Sequence, residues 1–308
     1  MKYNSHALSR SLLRFMTCTG AAAALATLAA CSAMPPTPST SSVSTPTTTP
    51  TPSTDPLQVG EYRAGSGYLN GYLSPAKYPD SLALLPRPPL AGSAAQAADN
   101  QAFEQAKALR LGARGQMAFD DNNLKFPAAA GIFSCAVGLA ISPEATPHTN
   151  MLLRRTLVDA GLPTYKAKNH YQRMRPFATF KESTCAPKED AALAKDGAYP
   201  SGHAALGWAW ALVLSEIAPE RSDAILQRGH AFGQSRVICG AHWQTDVEAG
   251  RLVGSAAVAK QHTDPVFTAQ LAAAKLELAQ ARAKLASTGA QASPACVTEA
   301  QALSSSKK

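Results

Sequence analysis

Three things are missing from this 308-residue sequence, and each absence removes a class of function. No two cysteines stand at CxxC spacing and no cluster of His, Cys, Asp and Glu has the spacing of metal ligands, so neither a zinc site nor any other resident metal or cofactor is expected. Lysine and arginine are not gathered into blocks. The net charge of +8 and pI of 9.2 therefore suit small anionic ligands and not a nucleic-acid arm. A second membrane-length apolar run is also lacking once the first thirty residues are set aside. The nearest candidate is the uncharged stretch 126–143, whose 18 residues touch the length of a span. Its Gly, Ser and Cys content and its flanking prolines favour a buried core helix. The remaining composition, 45% hydrophobic and 16% charged, is that of a chain long enough for one good core or two small ones.

The first thirty residues read as an export signal, with Lys2, Arg10 and Arg14 as its basic region and residues 15–30 as its short apolar region. Leu28-Ala29-Ala30-Cys31 resembles the lipobox of bacterial lipoproteins, with Cys31 as the lipidated residue; an ordinary cleaved signal with an incidental cysteine is the alternative. Ser32 behind the cysteine implies, by the same resemblance, sorting to the outer membrane on its periplasmic side. Residues 32–56 are almost all Pro, Ser and Thr, a composition that buries no core and forms an extended tether. The domain layout expected is thus a signal over 1–30, the lipidated cysteine and tether over 31–56, a catalytic domain over 57–264, and an amphipathic helix with a frayed tail over 265–308.

Cys18 lies in the signal and Cys31 at its end, which leaves Cys135, Cys185, Cys239 and Cys296 in an oxidising compartment. Two disulfides are expected, and of the three connectivities Cys135–Cys185 with Cys239–Cys296 is favoured.

Along the chain, residues 57–100 show no period and read as loops and short helices, followed by an Ala-rich helix beginning near Asn100. Thr146-Pro147 signals a helix start with a capping hydroxyl, and Gly161 its stop. A following helix from Thr164 to Arg175 places Lys168 and Arg175 on one face, two turns apart. Two stacked cations repel unless an anion lies between them; Lys166 and Arg173 nearby make a solvated basic face the alternative. Residues 181–196, with Cys185, read as a surface loop. Ser201 is a good N-cap, Gly202 lets the backbone approach a ligand, and the run from Ala204 to Leu214 is apolar all round, so its helix is central. The N-terminus of that helix, with His203 in its first turn, suits an anion. The next helix, capped by Ser222, runs to about Arg236. His242 and Asp246, at i and i+4 of a helix starting near Ala241, form a pair in which the carboxylate accepts a hydrogen bond from one imidazole nitrogen and leaves the other nitrogen facing outward; a purely structural His–Asp pair is the alternative. Finally Asp264-Pro265 opens a helix to about Ala286, with Leu271, Leu278 and Leu285 at heptad spacing, packed on the domain or on a second subunit of a homo-oligomer.

Three clusters carry the chemistry: Lys168-x6-Arg175-Pro176, Pro200-Ser201-Gly202-His203, and Ser235-Arg236-x5-His242-x3-Asp246. Together they resemble the signature of the type-2 phosphatidic acid phosphatase superfamily, which includes the vanadium haloperoxidases, at all eleven fixed positions. The stretches 197–204 and 234–240 resemble the bacterial class A non-specific acid phosphatases more closely. Ala198 and Ala204 depart from that class, which usually has Ser and Thr there; both flank the cluster and bear on substrate preference more than on chemistry. The fold implied is all-α, a helical bundle with buried central helices.

The resemblance implies hydrolysis of phosphate monoesters. His242 is the expected nucleophile, Asp246 its orienting partner, and His203 the acid and then the base. Lys168, Arg175 and Arg236 are expected to hold the phosphate oxygens, with Ser201 and the Gly202 amide as further donors. A lipid phosphate or nucleotide phosphatase, a phosphotransferase, and a phosphate-binding lipoprotein without turnover are the alternatives. Small phosphomonoesters are the expected partners, with no nucleic acid and no membrane contact beyond the lipid anchor.

Overall fold

The computed structural model describes residues 52–288 and 293–305. The signal, Cys31 and most of the tether lie outside the described residues. Within them the longer helices are α1 (Ala94–Lys107), α2 (Ala113–Asp120), α3 (Pro147–Gly161), α4 (Thr164–Tyr171), α5 (Gly202–Ile217), α6 (Ser222–Ile238), α7 (Gln244–Gln261), α8 (Pro265–Thr288) and α9 (Pro294–Ser305). Among the described residues there is no sheet, only one isolated antiparallel bridge between Glu61 and Leu69. The all-α expectation holds.

α5 is the axis of the bundle and packs against α6, α7 and α3. Its apolar surface leaves little room for a solvent face: Trp210, Ala209, Val213 and Leu214 are fully buried, and only Glu216 near its end is exposed. Each such Leu or Val contributes roughly 1.5–3 kcal/mol relative to exposure. Trp210 donates its indole N–H to the Leu153 carbonyl at 2.9 Å, which satisfies its one polar atom inside the core. Small residues set how closely the helices approach. A Cβ on Gly254 would stand 2.2 Å from the Ala205 carbonyl oxygen, and one on Gly250 2.4 Å from that of Ser201. Backbone contact along this seam holds α7 against the N-terminal half of α5.

α8 belongs to the same core. Phe267, Ala274 and Leu278 are fully buried, while Leu285 at the end of the heptad stripe is 37% exposed. Glu277 of α8 accepts from the Thr149 N–H at 2.9 Å, the His148 N–H at 2.8 Å and the Thr149 hydroxyl at 2.7 Å. It therefore supplies the cap of α3. The expected cap, Thr146, makes no such bond; its hydroxyl donates to the Ala140 carbonyl and accepts from the Ser142 N–H. Similarly, Ser222 is the first residue of α6 and not its cap, with its hydroxyl donating to the Pro219 carbonyl at 2.8 Å.

Three other expectations are corrected. The stretch 126–143 is not one core helix but two short ones, Ala128–Gly131 and Ser134–Val137, ended by Gly138 in the left-handed region. No helix among the described residues is long and apolar enough to cross a membrane. The helix bearing Lys168 stops at Tyr171, where Gln172 turns left-handed at φ 44°. Arg175 then lies outside it, extended ahead of Pro176 as that proline demands, at the start of the short helix Pro176–Phe180. The disulfides are Cys135–Cys296 and Cys185–Cys239, with Cα–Cα distances of 5.2 and 4.7 Å, so the favoured pairing is wrong. The first ties α9 to the 134–137 helix. The second ties the 181–196 segment to the end of α6, where the Cys185 N–H also donates to the Cys239 carbonyl at 3.1 Å.

Candidate active site

One cavity of about 590 Å³ is lined by Lys168, Arg175, Gly202, His203, Arg236 and His242, so six of the eight residues expected to act on phosphate face a common space. Ser201 and Asp246 stand immediately behind it and are fully buried. Ser201 caps α5 as expected, its hydroxyl accepting from the Ala204 N–H at 3.3 Å, and its own N–H donates to the Asp246 carbonyl at 2.9 Å. That last bond welds the start of α5 to the first turn of α7.

The cationic wall is built from three elements. Lys168, on α4, donates to the Gly197 carbonyl at 2.6 Å. Arg175 is held from every side: Nε donates to the carbonyls of Leu193 and Asp196 at 2.8 and 3.0 Å, Nη1 to that of Ala241 at 2.9 Å, and Nη2 to the Asp196 carboxylate at 3.0 Å. Arg236, in the last turn of α6, donates Nη1 to the Asn122 side-chain oxygen, while its buried Nε has no acceptor among the described residues.

His242 does not sit on a helix. Trp243 is the N-cap of α7 and Asp246 its third residue, so the spacing of four spans a helix start. The pair still meets, because Asp246 folds back to accept from the Trp243 N–H at 2.8 Å and brings its carboxylate to 3.5 Å from His242 Nδ1. On the other side of the ring, Nε2 lies 3.0 Å from Arg175 Nη1. His203, in the first turn of α5, approaches the Asn122 carbonyl at 3.3 Å through Nε2.

Burial and crowding of like charge shift these groups together. Burial, then Arg175, pushes the Lys168 ammonium down to about 8. The same causes in the same order bring Arg236 down to about 10. Both imidazoles are driven well below the usual histidine range, His242 by burial and then Arg175, His203 by burial and then Arg236. Burial raises Asp246 to about 6, against the pull of Arg173. A cavity whose cations lower one another is a cavity suited to an anion, which relieves all of them at once.

Sequence reasoning missed four residues. Asp196 reaches Arg175 and, at 3.5 Å, Lys168. Asn122 holds both Arg236 and His203. Arg173, read with Lys166 as a solvated face, is buried between Asp99 and Asp246, whereas Lys166 does lie at the surface, paired with Asp80. Asp99 has no local signal at all; the only one for Arg173 is its place two residues before Arg175.

The outer wall is largely apolar and aromatic: Leu157 and Leu162 at the end of α3, Tyr165 on α4, and Tyr62 and Tyr68 from the preceding wrap. That wrap is pinned by Asp159, whose carboxylate accepts from the Tyr72 and Leu73 N–H groups at 2.8 and 3.2 Å.

Residues 149–263, which hold most of this cationic, two-imidazole cavity, match the PAP2 superfamily. A non-specific acid phosphatase of Providencia stuartii is 49% identical over 210 residues, 68% of this chain and 85% of that protein. One from Salmonella typhimurium is 42% identical over 224 residues, 72% of this chain and 89% of that protein. An acid phosphatase of Zymomonas mobilis is 38% identical over 203 residues, 66% and 77% of the two chains. The chain belongs to the PAP2 superfamily and, within it, to the bacterial class A acid phosphatases.

Proposed function

We propose that this acid phosphatase hydrolyses phosphate monoesters in two displacements at His242, without a metal. The observation that carries the reading is the placement of His242 Nε2 in a cavity shared with Lys168, Arg175, Arg236 and His203. In the first step the Nε2 lone pair attacks phosphorus and the bond to the ester oxygen breaks. His203 gives its proton to the departing alkoxide, and the phosphohistidine carries its positive charge beside Asp246. In the second step His203 takes a proton from water, whose oxygen attacks phosphorus, and the N–P bond breaks to release phosphate. Lys168, Arg175 and Arg236 neutralise the equatorial oxygens, and the Gly202 amide donates at the positive end of α5. Ser201 serves the site from behind by holding the first turn of α5 in place. The three cations gather at the phosphoryl end, and the outer wall, Arg63 apart, is mainly apolar, which supports broad tolerance of the leaving alcohol.

Cys31 is the proposed lipid anchor, residues 31–56 the tether, 57–264 the phosphatase domain with 265–308 as its C-terminal extension, and the periplasmic face of the outer membrane the location; a homo-oligomer fits the same layout. These assignments rest on the amino-acid sequence. Turnover of p-nitrophenyl phosphate in EDTA, lost in His242→Ala with affinity for inorganic phosphate retained, tests the mechanism. Activity that disappears on chelation, or that survives in His242→Ala, overturns it.

A further inference from the structure

Behind the His242–Asp246 pair lies a second buried ion pair that the chemistry above does not use. Arg173 follows α4, and its side chain is 7% exposed. Nη1 donates to Asp246 Oδ1 at 2.5 Å and to the Thr245 hydroxyl at 2.8 Å. Nη2 donates to Asp99 Oδ2 and to Gln96 Oε1, both at 2.7 Å. Asp99, on α1 and 1% exposed, also accepts from the Thr245 N–H at 3.0 Å and from its hydroxyl at 2.6 Å. The face of Trp243 covers the guanidinium, with Cζ 5.4 Å from the ring centroid.

We infer that Arg173, anchored by Asp99, is a positioning residue for the reaction: it fixes the direction and the charge of the Asp246 carboxylate, and through it the tautomer and orientation of His242. The inference rests on His242 being the nucleophile. Three features of the geometry carry it. First, the two Asp246 oxygens are divided in use. Oδ1 is taken by Arg173, and Oδ2 is left for the Trp243 N–H and for His242 Nδ1. Rotation of the carboxylate would break the Arg173 and Trp243 bonds together and move the oxygen that stands 3.5 Å from His242 Nδ1. Second, a lone carboxylate at full burial tends to take up a proton, and a protonated Asp246 could not stabilise a positive ring. The charged and titratable groups facing it are Arg173 from the segment after α4, Lys168 from α4, Arg175 before the 176–180 helix, His242 from the turn before α7, and the Tyr199 phenol ahead of α5. Of these only Arg173 touches the carboxylate with a fixed positive charge. Third, Arg173 spans two carboxylates, one on α1 and one on α7, so a buried cation is paired on both sides and cannot turn toward the phosphate site. This is what distinguishes it from Arg175, two residues on, which faces the cavity.

The test is the pH profile of kcat/KM for p-nitrophenyl phosphate in three variants, each checked for folding by thermal melt. Arg173→Gln removes the charge, so the Asp246 carboxyl holds its proton to higher pH. The acid limb is expected to move up by roughly one pH unit or more, with the loss in rate greatest at low pH and smaller toward neutrality. Arg173→Lys keeps the charge and is expected to leave the acid limb in place. Asp99→Asn removes the carboxylate that competes for Arg173, and the limb is expected to move down. A parallel drop at every pH in Arg173→Gln and Arg173→Lys alike would mean a purely structural pair and would overturn the inference. Should Arg173→Gln not fold, an unmoved acid limb in Asp99→Asn overturns it equally, and a limb moved down sustains it. Failure of the underlying mechanism has a separate mark: His242→Ala would then retain turnover, whatever the Arg173 variants do.

Discussion

His242 Nε2 lies 3.0 Å from Arg175 Nη1. A guanidinium nitrogen can only donate, so Nε2 is the accepting nitrogen and the ring proton resides on Nδ1, on the side of Asp246. The ring is therefore held neutral, with a lone pair directed at the cation that also faces the substrate. On the proposed mechanism, an arriving phosphate oxygen would compete for the same Arg175 N–H and so free the lone pair for attack on phosphorus.

Among the described residues no cation hydrogen-bonds to His203, and on the proposed mechanism its proton is needed only when the leaving group is a poor one. We expect His203→Ala to slow hydrolysis of an alkyl phosphate such as glycerol phosphate by about 10²–10⁴-fold. The loss should be markedly smaller with p-nitrophenyl phosphate, whose leaving group departs as a stable anion. Steady-state rates on the two esters check this; equal losses would deny His203 the role of proton donor.

Lys168 titrates within reach of ordinary buffers, near 8. Its ammonium is charged below that value and neutral above it, so its attraction for an oxyanion is present on the acid side and lost as pH rises. Calorimetric titration with inorganic phosphate is expected to show affinity declining as pH passes about 8. Lys168→Met should bind more weakly at pH 6 and lose that decline.

The disulfides should separate stability from activity. Cys135→Ser with Cys296→Ser frees α9, none of whose described residues lines the cavity, and should lower stability by about 2–4 kcal/mol while leaving kcat near its starting value. Cys185→Ser with Cys239→Ser frees the segment whose Leu193 and Asp196 hold Arg175, and should lower kcat as well. Denaturant melts and kinetics on both double variants decide it.

Gly250→Ala places a methyl group 2.4 Å from the Ser201 carbonyl oxygen. The seam must open, at a cost of roughly 1–3 kcal/mol, and the opening occurs where α5 presents Gly202 and His203. Both melting temperature and kcat should fall, in contrast to Gly131→Ala, where a Cβ meets nothing within 4 Å.

The three clusters were legible because each keeps its members within a dozen residues, and the fold needs them on one cavity. Their local geometry was less so. Lys168 and Arg175 were read as two turns of one helix, but Gln172 reverses the chain and they meet across a turn. His242 and Asp246 were read as a helical i, i+4 pair, but the helix begins between them. What the sequence hid altogether were partners fixed by packing alone. Asp99 and Asn122 lie far along the chain from the arginines they hold, and nothing near either residue hints at it. The cysteine pairing was hidden for the same reason, since Cys296 reaches Cys135 only because α9 folds back on α2 and the 134–137 helix.

Asn122 holds Arg236 by its side chain and His203 by its main chain. On the proposed mechanism the acid and the anion clamp are thus registered to a single point on the loop after α2, and a displacement of that loop would detune proton delivery and phosphate grip in the same stroke. Any mutation that loosens residues 121–125 should consequently look like a double lesion in kinetics, although it replaces neither functional side chain.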